Sequence, residues 1–138
     1  MPDWLVPAFL AAGFIAVLFA KAHQKTQRMV ARTRQRRVNP TESEFVTMLS
    51  RDVNPETAEF VCFAIIEYLQ RWQLTPHPDD DLVNDLPIGS DDPTIDWLPR
   101  YAELYGANWK LWPKWPQGWD GTVRNFARWL ELGLSRQR

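Results

Sequence analysis

Aspartates are concentrated in one Pro- and Gly-containing part of the chain, and closely spaced carboxylates are the ligands that Ca²⁺ prefers in proteins. The aspartates in question are Asp79, Asp80, Asp81, Asp85, Asp91 and Asp92. A calcium-binding EF-hand loop also needs alternating acidic ligands, a glycine at its sixth position and a glutamate at its twelfth. Counted from Asp79, those two positions hold Asn84 and Ser90. The spacing therefore does not predict a metal site.

Residues that suit zinc binding or nucleophilic catalysis are few and far apart in the sequence. His23 lies in a basic segment, His77 lies between two prolines, and Cys62 is the only cysteine. A zinc site needs a cluster of such ligands, and a catalytic nucleophile needs an adjacent base. There is no glycine-rich phosphate loop either. We therefore expect no enzymatic activity, and a single cysteine fits a reducing compartment.

An uncharged run from Trp4 to Ala20 predicts a single membrane-spanning helix. At a rise of about 1.5 Å per residue, a helix of this length just covers a thin hydrocarbon core. Trp4 lies where an interfacial aromatic residue belongs, and Lys21 and Lys25 can extend back to the headgroups. Two alternatives are a cleaved signal peptide and a buried core helix. The flanking charges and the missing cleavage motif disfavour the first, and apolar residues on every face disfavour the second.

Seven basic residues and no acidic residue lie between Lys21 and Arg37. Because Lys and Arg beside a membrane helix stay on the cytoplasmic side, we expect the amino terminus to lie outside a bacterial inner membrane. The same segment, 21–37, should attract anionic lipid, while residues 4–20 cross the bilayer. Nucleic acid is not expected as a partner, because no aromatic residue is interleaved with these charges for base stacking.

The rest of the chain is acidic: from Val38 onward, nine Lys or Arg residues stand against sixteen Asp or Glu residues, a net charge of −7. About a hundred residues suffice for one hydrophobic core. An acidic surface suits a cytoplasmic or membrane protein partner with a basic surface. We therefore divide the chain into a membrane helix with a basic extension, 1–38, and a cytoplasmic domain, 39–138.

Prolines and capping residues divide this domain into helices. Pro40 should end the basic helix that continues out of the membrane. Thr41 and Glu44 have capping-box spacing before a helix over 42–51, and the mostly apolar helix over 55–73 should lie at the centre of the core. No stretch shows sustained strand alternation. The predicted fold class is all-α.

A long loop over 74–92 should follow, held to the core by aliphatic side chains. Those side chains are Leu82, Val83, Leu86 and Ile88. Asp91 or Asp92 should then cap the next helix. Pro99 lies inside that helix, so we expect the helix to restart there with Asp96 as a second cap.

The tryptophan-rich segment 109–119 contains two prolines and cannot form one continuous helix. A final amphipathic helix, capped by Asp120 or Thr122, should end near Leu132. The tryptophans expected in the core are Trp97, Trp109 and Trp129. Three tryptophans could belong either to the core or to a partner-binding patch, namely Trp112, Trp115 and Trp119.

The order of these elements and one short motif resemble the acyl carrier protein fold. Asn84-Asp85-Leu86, followed by Ser90 and Asp92, is similar to the Glu-Asp-Leu and Asp-Ser-Leu-Asp steps of that family, and the similarity covers about 57–132. More closely, the chain resembles a family of small acidic enterobacterial proteins with a carrier-like domain, in which a Gly-Asp-Asp step opens the second main helix. The resemblance implies a small helical bundle of the acyl-carrier type behind the membrane helix.

In carriers of this type, the serine of the motif holds phosphopantetheine, with an aspartate before it and a leucine after it. Here Gly89 precedes Ser90 and an aspartate follows it. We therefore predict a membrane-tethered, non-enzymatic interaction module without a cofactor. The alternative is an acyl or peptidyl carrier with phosphopantetheine on Ser90. The predicted partner-binding residues are Asp91, Asp92, Asp96, Glu103, Trp112 and Trp115.

Overall fold

The computed structural model describes residues 2–89 and 92–138, and in these residues the chain is all-helical with one long apolar helix near its amino terminus. The α-helices are α1 (Leu5–Arg36), α2 (Glu42–Leu49), α3 (Pro55–Leu69), α4 (Leu98–Leu104) and α5 (Val123–Ser135). Within the same residues no strand forms, although Asp81 and Thr122 make an isolated antiparallel bridge. The all-α prediction is confirmed.

Helix α1 runs without interruption from the apolar segment through the basic one. Pro7 lies in its first turn, where the missing N–H has no intrahelical partner to lose, and the next proline is Pro40. None of the most hydrophobic window of this helix is buried in the described part of the chain. Val30 and Thr33, near the other end, are the residues of α1 that are buried. The helix is therefore long and apolar enough to span a membrane, and its other end belongs to the domain.

Helix α3 forms the centre of the core, as its apolar sequence predicts. It packs against α2 and α5, and its residues Val61, Ala64, Ile65 and Leu69 are fully buried. A 3₁₀ turn, Gln70–Trp72, extends it. This core stabilises the domain because each large aliphatic or aromatic side chain taken out of water contributes about 1.5–3 kcal/mol.

Helix α4 runs antiparallel to α3. Near its carboxyl end, the Tyr105 hydroxyl donates to Glu56 at 3.2 Å, close to the start of α3. At the other end, the Tyr68 hydroxyl near the end of α3 donates to Asp96 at 3.0 Å, just before α4. Residues around Tyr105 therefore lie at the opposite end of α3 from Trp72.

The sequence-predicted caps of α2 and α5 form. The Thr41 hydroxyl accepts a hydrogen bond from the Glu44 amide at 3.1 Å, and the Thr122 hydroxyl accepts one from the Asn125 amide at 3.2 Å. Each bond satisfies one of the amides that a helix leaves unpaired at its start. Helix α5 ends at Ser135, slightly beyond the expected end.

The predicted restart at Asp96 is wrong, because the chain stays helical through Pro99. Residues Pro93–Trp97 form a π-helical turn that continues directly into α4, and the Leu98 amide donates to the carbonyl of Pro93, five residues back. A proline ring clashes with the carbonyl four residues before it, and a widened turn relieves this clash without ending the helix. Asp96 is left free to accept from Tyr68.

Candidate membrane-anchoring and partner-binding surfaces

The carboxyl end of α1 is attached to the domain by hydrogen bonds to the loop that follows α3. The Thr33 hydroxyl donates to the carbonyl oxygen of Asp85 at 2.6 Å. Arg34 donates from its guanidinium group to the carbonyl oxygen of Trp72. The rings of His23 and Trp72 have their centroids 5.6 Å apart. These contacts hold α1 in one orientation relative to the end of α3.

A buried carboxylate, Asp80, receives two arginines from the end of α1. Its side chain is 1% exposed, and Arg37 reaches both of its oxygens, with Nε at 2.8 Å from Oδ1 and Nη2 at 2.6 Å from Oδ2. Arg36 lies 3.4 Å from Asp80 and 2.8 Å from Asp85. The His77 amide donates to Asp80 at 2.9 Å. We call this set of Arg36, Arg37, Asp80 and Asp85 the hinge cluster.

The charge balance at Asp85 favours the ionised carboxylate. Burial alone would raise the pKa of Asp85, but three other influences outweigh it: the hydrogen bond from Arg36, the backbone amide of Asp81, and the charges of Arg36 and Arg37. The pKa of Asp85 therefore lies below its ordinary value. Asp85 is therefore ionised at neutral pH, where it pairs with Arg36.

Two other aspartates of the loop, Asp79 and Asp81, also bind within the chain. Asp81 accepts from the amides of Val83 at 2.9 Å and Asn84 at 2.8 Å, and Asp79 pairs with Arg124. In residues 2–89 and 92–138, no group of three or more metal-ligating side chains is placed to hold an ion. The carboxylates of Asp79, Asp80, Asp81 and Asp85 bind arginines and backbone amides, so their role here is structural.

The basic residues in and directly after α1 fall into two groups. Arg34, Arg36 and Arg37 face the domain. The others are exposed at helical spacing along the side of α1 opposite Arg34, namely Lys21, Lys25, Arg28 and Arg32. We call this second set the outer basic stripe. We therefore expect only part of the segment 21–37 to meet anionic lipid, because Arg36 and Arg37 already pair with carboxylates of the chain.

The predicted partner-binding acids are in different environments. Ser90 and Asp91 lie outside the described residues. The carboxylate of Asp92 accepts a hydrogen bond from the Gly89 amide at 2.9 Å. It therefore bonds to the loop before it and does not cap the helix that follows. Asp96 accepts from Tyr68 and lies 3.7 Å from Arg100. Glu103 is exposed and makes no side-chain hydrogen bond or ion pair within the described part of the chain.

The tryptophans separate into buried and surface groups. Trp97 and Trp129 are buried, as predicted, at 0% and 5% exposure. The prediction that Trp109 lies in the core is wrong: it is 44% exposed, because it belongs to a short 3₁₀ turn, Trp109–Leu111, on the surface. Val83, expected to anchor the loop, is also exposed, whereas its three aliphatic neighbours in that prediction are buried.

The tryptophans that the sequence left open pack along α5. Trp112 is half-buried and donates from its indole nitrogen to the Trp129 carbonyl at 3.3 Å. Trp115 is more exposed, and its ring lies 5.7 Å from that of Trp129. Trp119 is half-buried beneath the guanidinium group of Arg128, 4.8 Å from the ring centroid. Trp112 and Trp119 therefore complete the core, while Trp115 borders a surface cleft.

That cleft lies between the loop after α3, the π-helical turn and α5. It has a volume of about 320 Å³. Its lining includes Leu82, Pro93, Trp115, Phe126 and Trp129, so its walls are mainly apolar. Pro93, which lines the cleft, lies three residues after Ser90 in the sequence.

The single cysteine, Cys62, is buried in α3. Burial, with a smaller contribution from the charge of Glu42, raises the pKa of its thiol to about 11. A thiol with a pKa this high is almost entirely protonated at neutral pH and is a weak nucleophile. Cys62 therefore packs as an apolar side chain.

Comparisons with protein-family models, with curated proteins and with solved structures find no match to this chain. The argument for function therefore rests on the chain's own geometry.

Sequence reasoning did not identify the hinge cluster, although its components were visible as two charged runs. The arginines at 34–37 and the aspartates at 79–85 carry opposite charges and are separated by a helix pair of ordinary length. Such runs indicate a pairing in principle, but only the packing of α1 against the loop shows which residues meet.

Proposed function

We propose that this protein is a single-pass protein of a bacterial inner membrane whose cytoplasmic helical domain is a non-enzymatic interaction module for a basic partner. The observation that carries the proposal is the two-part character of α1. Its apolar half is exposed along its whole girth, while its other end is bound to the domain through the hinge cluster. Such exposed apolar surface is unfavourable in water and favourable in a bilayer.

The orientation follows from the basic residues after the apolar run. Lys and Arg close to a membrane helix are retained on the cytoplasmic side, whereas acidic residues have little influence on topology. The pairing of Arg36 and Arg37 with aspartates in the folded protein therefore does not weaken the expectation. The domain is expected in the cytoplasm, with the few residues before Trp4 on the other side.

The partner surface that we propose lies on and around α4. Glu103 is exposed there, together with Leu104 at the end of the same helix. This end lies away from Trp72 and hence away from the membrane-adjacent end of α3. Asp92 and Asp96 extend the acidic surface toward the start of the helix, and the exposed Trp115 would supply apolar contact. Asp91 is assigned to this surface from the sequence alone. Charge complementarity of this kind mainly sets the association rate and the specificity.

Membrane insertion is tested by extraction of the full chain from membranes at alkaline pH. The wild-type chain should stay with the membrane pellet, and Phe14→Arg should release it, because a charged residue at the centre of a spanning helix costs about 2.5–3.5 kcal/mol. Phe63→Arg is the matched control, since Phe63 is similarly exposed but lies on the domain. Release of the wild-type chain would refute the anchor.

The partner surface is tested by site-specific photo-crosslinking from position 104 in cells, with capture compared across charge variants. Glu103→Lys should weaken capture, and added salt should weaken it further. Asp120→Lys makes the same change of charge at another exposed position and should leave capture unchanged. If reversal of Asp91, Asp92, Asp96 and Glu103 together leaves capture intact, the assignment of this surface is wrong.

A carrier protein with phosphopantetheine on Ser90 is the second candidate. The apolar cleft lined by Pro93, Trp115 and Trp129 favours it, because such a cleft suits an apolar chain and Pro93 is only three residues from Ser90 in the sequence. The test is the intact mass of the chain after co-expression with a broad-specificity phosphopantetheinyl transferase. A shift by one phosphopantetheine, absent in Ser90→Ala, would make the protein a carrier.

A further inference from the structure

A second cleft lies between α1 and the end of α3. It has a volume of about 500 Å³. Its polar and aromatic lining consists of His23, Gln27, Arg34, Arg71, Trp72 and Gln73. We call it the headgroup cleft. Within the described residues, no carboxylate lines it, although the domain as a whole is acidic.

The two arginines of the cleft have donors to spare. Arg34 uses its guanidinium group on the Trp72 carbonyl and forms no ion pair with the described residues. The guanidinium carbon of Arg71 lies 5.2 Å from the centroid of the Trp72 ring, and Arg71 likewise forms no ion pair in the described part of the chain. A guanidinium group presents five N–H donors in a planar fork that matches a phosphate. The cleft therefore offers positive charge and donors to one anion.

The position of the cleft relative to the bilayer follows from α1. His23 lies three residues beyond Ala20, the last residue of the apolar run, which is about 4.5 Å along a helix. The polar headgroup layer is roughly 5–8 Å thick on each side of the hydrocarbon core. Because His23 contacts Trp72, the end of the cleft that His23, Arg71 and Trp72 line lies at the level of the headgroups. Arg34 lies fourteen residues beyond Ala20, about 21 Å along the helix, and its side chain extends to the Trp72 carbonyl at the other end of the cleft. Tryptophan and arginine are residues that favour the headgroup layer.

We propose that the headgroup cleft binds the phosphate of an anionic phospholipid in the cytoplasmic leaflet. This inference rests on the proposed membrane anchoring and names one lipid site within it. The phosphate lies against the guanidinium group of Arg71 beside Trp72, and Arg34 adds positive charge from the end of the cleft farther from the bilayer. Lipid bound there adds a second membrane contact on the domain side of α1 and restrains the domain against the bilayer.

The test is titration of the full chain, purified in a neutral detergent, with short-chain phosphatidylglycerol or phosphatidylcholine and detection of bound lipid by native mass spectrometry. The wild-type chain should prefer phosphatidylglycerol. In Arg34→Gln/Arg71→Gln, affinity for phosphatidylglycerol should fall about 30-fold, as two arginines at the membrane-surface value imply. Arg34→Lys should retain most of the affinity, because it keeps the charge.

The matched control is Arg28→Gln/Arg32→Gln, which removes the same charge from the outer basic stripe of the same helix. Side chains two residues apart on an α-helix point about 160° away from each other, so Arg32 cannot reach the cleft that Arg34 lines. This control should keep the preference. An equal loss in both double variants would overturn the proposal and assign the effect to diffuse surface charge.

Two further measurements separate the remaining outcomes. Arg71→Gln alone removes no hydrogen bond of the described structure, so a loss of affinity in this variant supports the cleft even if Arg34→Gln impairs folding. Competition by inorganic phosphate at the same concentration as the lipid would show a soluble-anion site and overturn the lipid assignment. Because the titration is done in detergent, it is independent of alkaline extraction, and failure of the anchor and failure of the cleft are distinguishable.

Discussion

Replacement of Asp80 by asparagine tests whether the hinge cluster holds α1 on the domain. The carboxylate is 1% exposed and accepts hydrogen bonds from Arg37, Arg36 and the His77 amide. Asparagine has the same shape but no charge, and its NH₂ group would face donors in place of an acceptor oxygen. Arg37 would then be left without its counter-ion while remaining largely buried, at 11% side-chain exposure.

The expected loss of unfolding free energy is about 3–5 kcal/mol, the usual cost of removing one partner from a buried ion pair. This is a large part of the roughly 5–15 kcal/mol by which proteins of this size are stable. Arg37→Gln should cost less than Asp80→Asn, because Arg36 and the His77 amide still reach Asp80. The double variant should show a coupling of about 0.5–3 kcal/mol between the two positions.

The assay has two readouts on the full chain in lipid nanodiscs. Urea unfolding followed by near-ultraviolet circular dichroism measures the stability of the domain. Limited trypsin digestion measures release of α1, because the arginines of the hinge cluster become available for cleavage when the helix leaves the loop. In Asp80→Asn, cleavage at Arg36 and Arg37 should accelerate at urea concentrations where the core is still folded.

Asp120→Asn is the matched control, because Asp120 is exposed and its carboxylate has no partner in the described structure. It should change neither readout. The reasoning is refuted if Asp80→Asn lowers the unfolding free energy by less than about 1 kcal/mol, well below the value for a broken buried pair.

Three other predictions follow from single contacts. Because the pKa of Asp85 is lowered in the folded chain, its ionised carboxylate contributes fully to stability above the ordinary value of 3.8, and this contribution is lost as pH falls below that value. The stability difference between wild type and Asp85→Asn, measured by urea titration, should therefore shrink below pH 3.8. A difference that stays constant would contradict this prediction. Gly133→Ala should destabilise the domain by about 1–3 kcal/mol, because the added Cβ would collide with the Trp112 indole, and in a Trp112→Ala background that penalty should disappear in thermal unfolding. Cys62 should react slowly with iodoacetamide at pH 8, because a pKa of about 11 leaves about one thiol in a thousand ionised. The thiol should react quickly once urea unfolds the chain. Similar rates in the folded and unfolded states would show that the thiol is accessible in the folded chain.

Much of the local structure could be predicted because it depends on neighbours in the sequence. The cap at Thr41 forms from a residue and an amide three positions away, and the same is true at Thr122. The central place of α3 follows from apolar residues around most of its girth. The continuous run of α1 follows from the absence of a proline between its first turn and Pro40.

The errors concern features that depend on packing. Pro99 could end a helix or be accommodated by a wider turn, and the sequence does not distinguish the two. Trp109 and Trp129 are the same residue type, yet one lies on a surface turn and the other against Phe126 and Trp115. An aromatic residue near a proline can therefore face the core or the solvent, and only the path of the folded chain decides between the two.

The sequence alone determined the membrane-compatible helix, the all-α class and the positions of most helix starts, because length, hydropathy and capping are properties of short segments. The tertiary structure decided how the charges are used. Arg37 and Asp80 are separated by 43 residues, and their pairing depends on the packing of α1 against the loop after α3. The same packing brings Arg34 and Arg71 to one cleft, the headgroup cleft. Charges that look alike in the sequence thus have different roles, because burial and distance, which set electrostatic energies, are defined only in the folded chain.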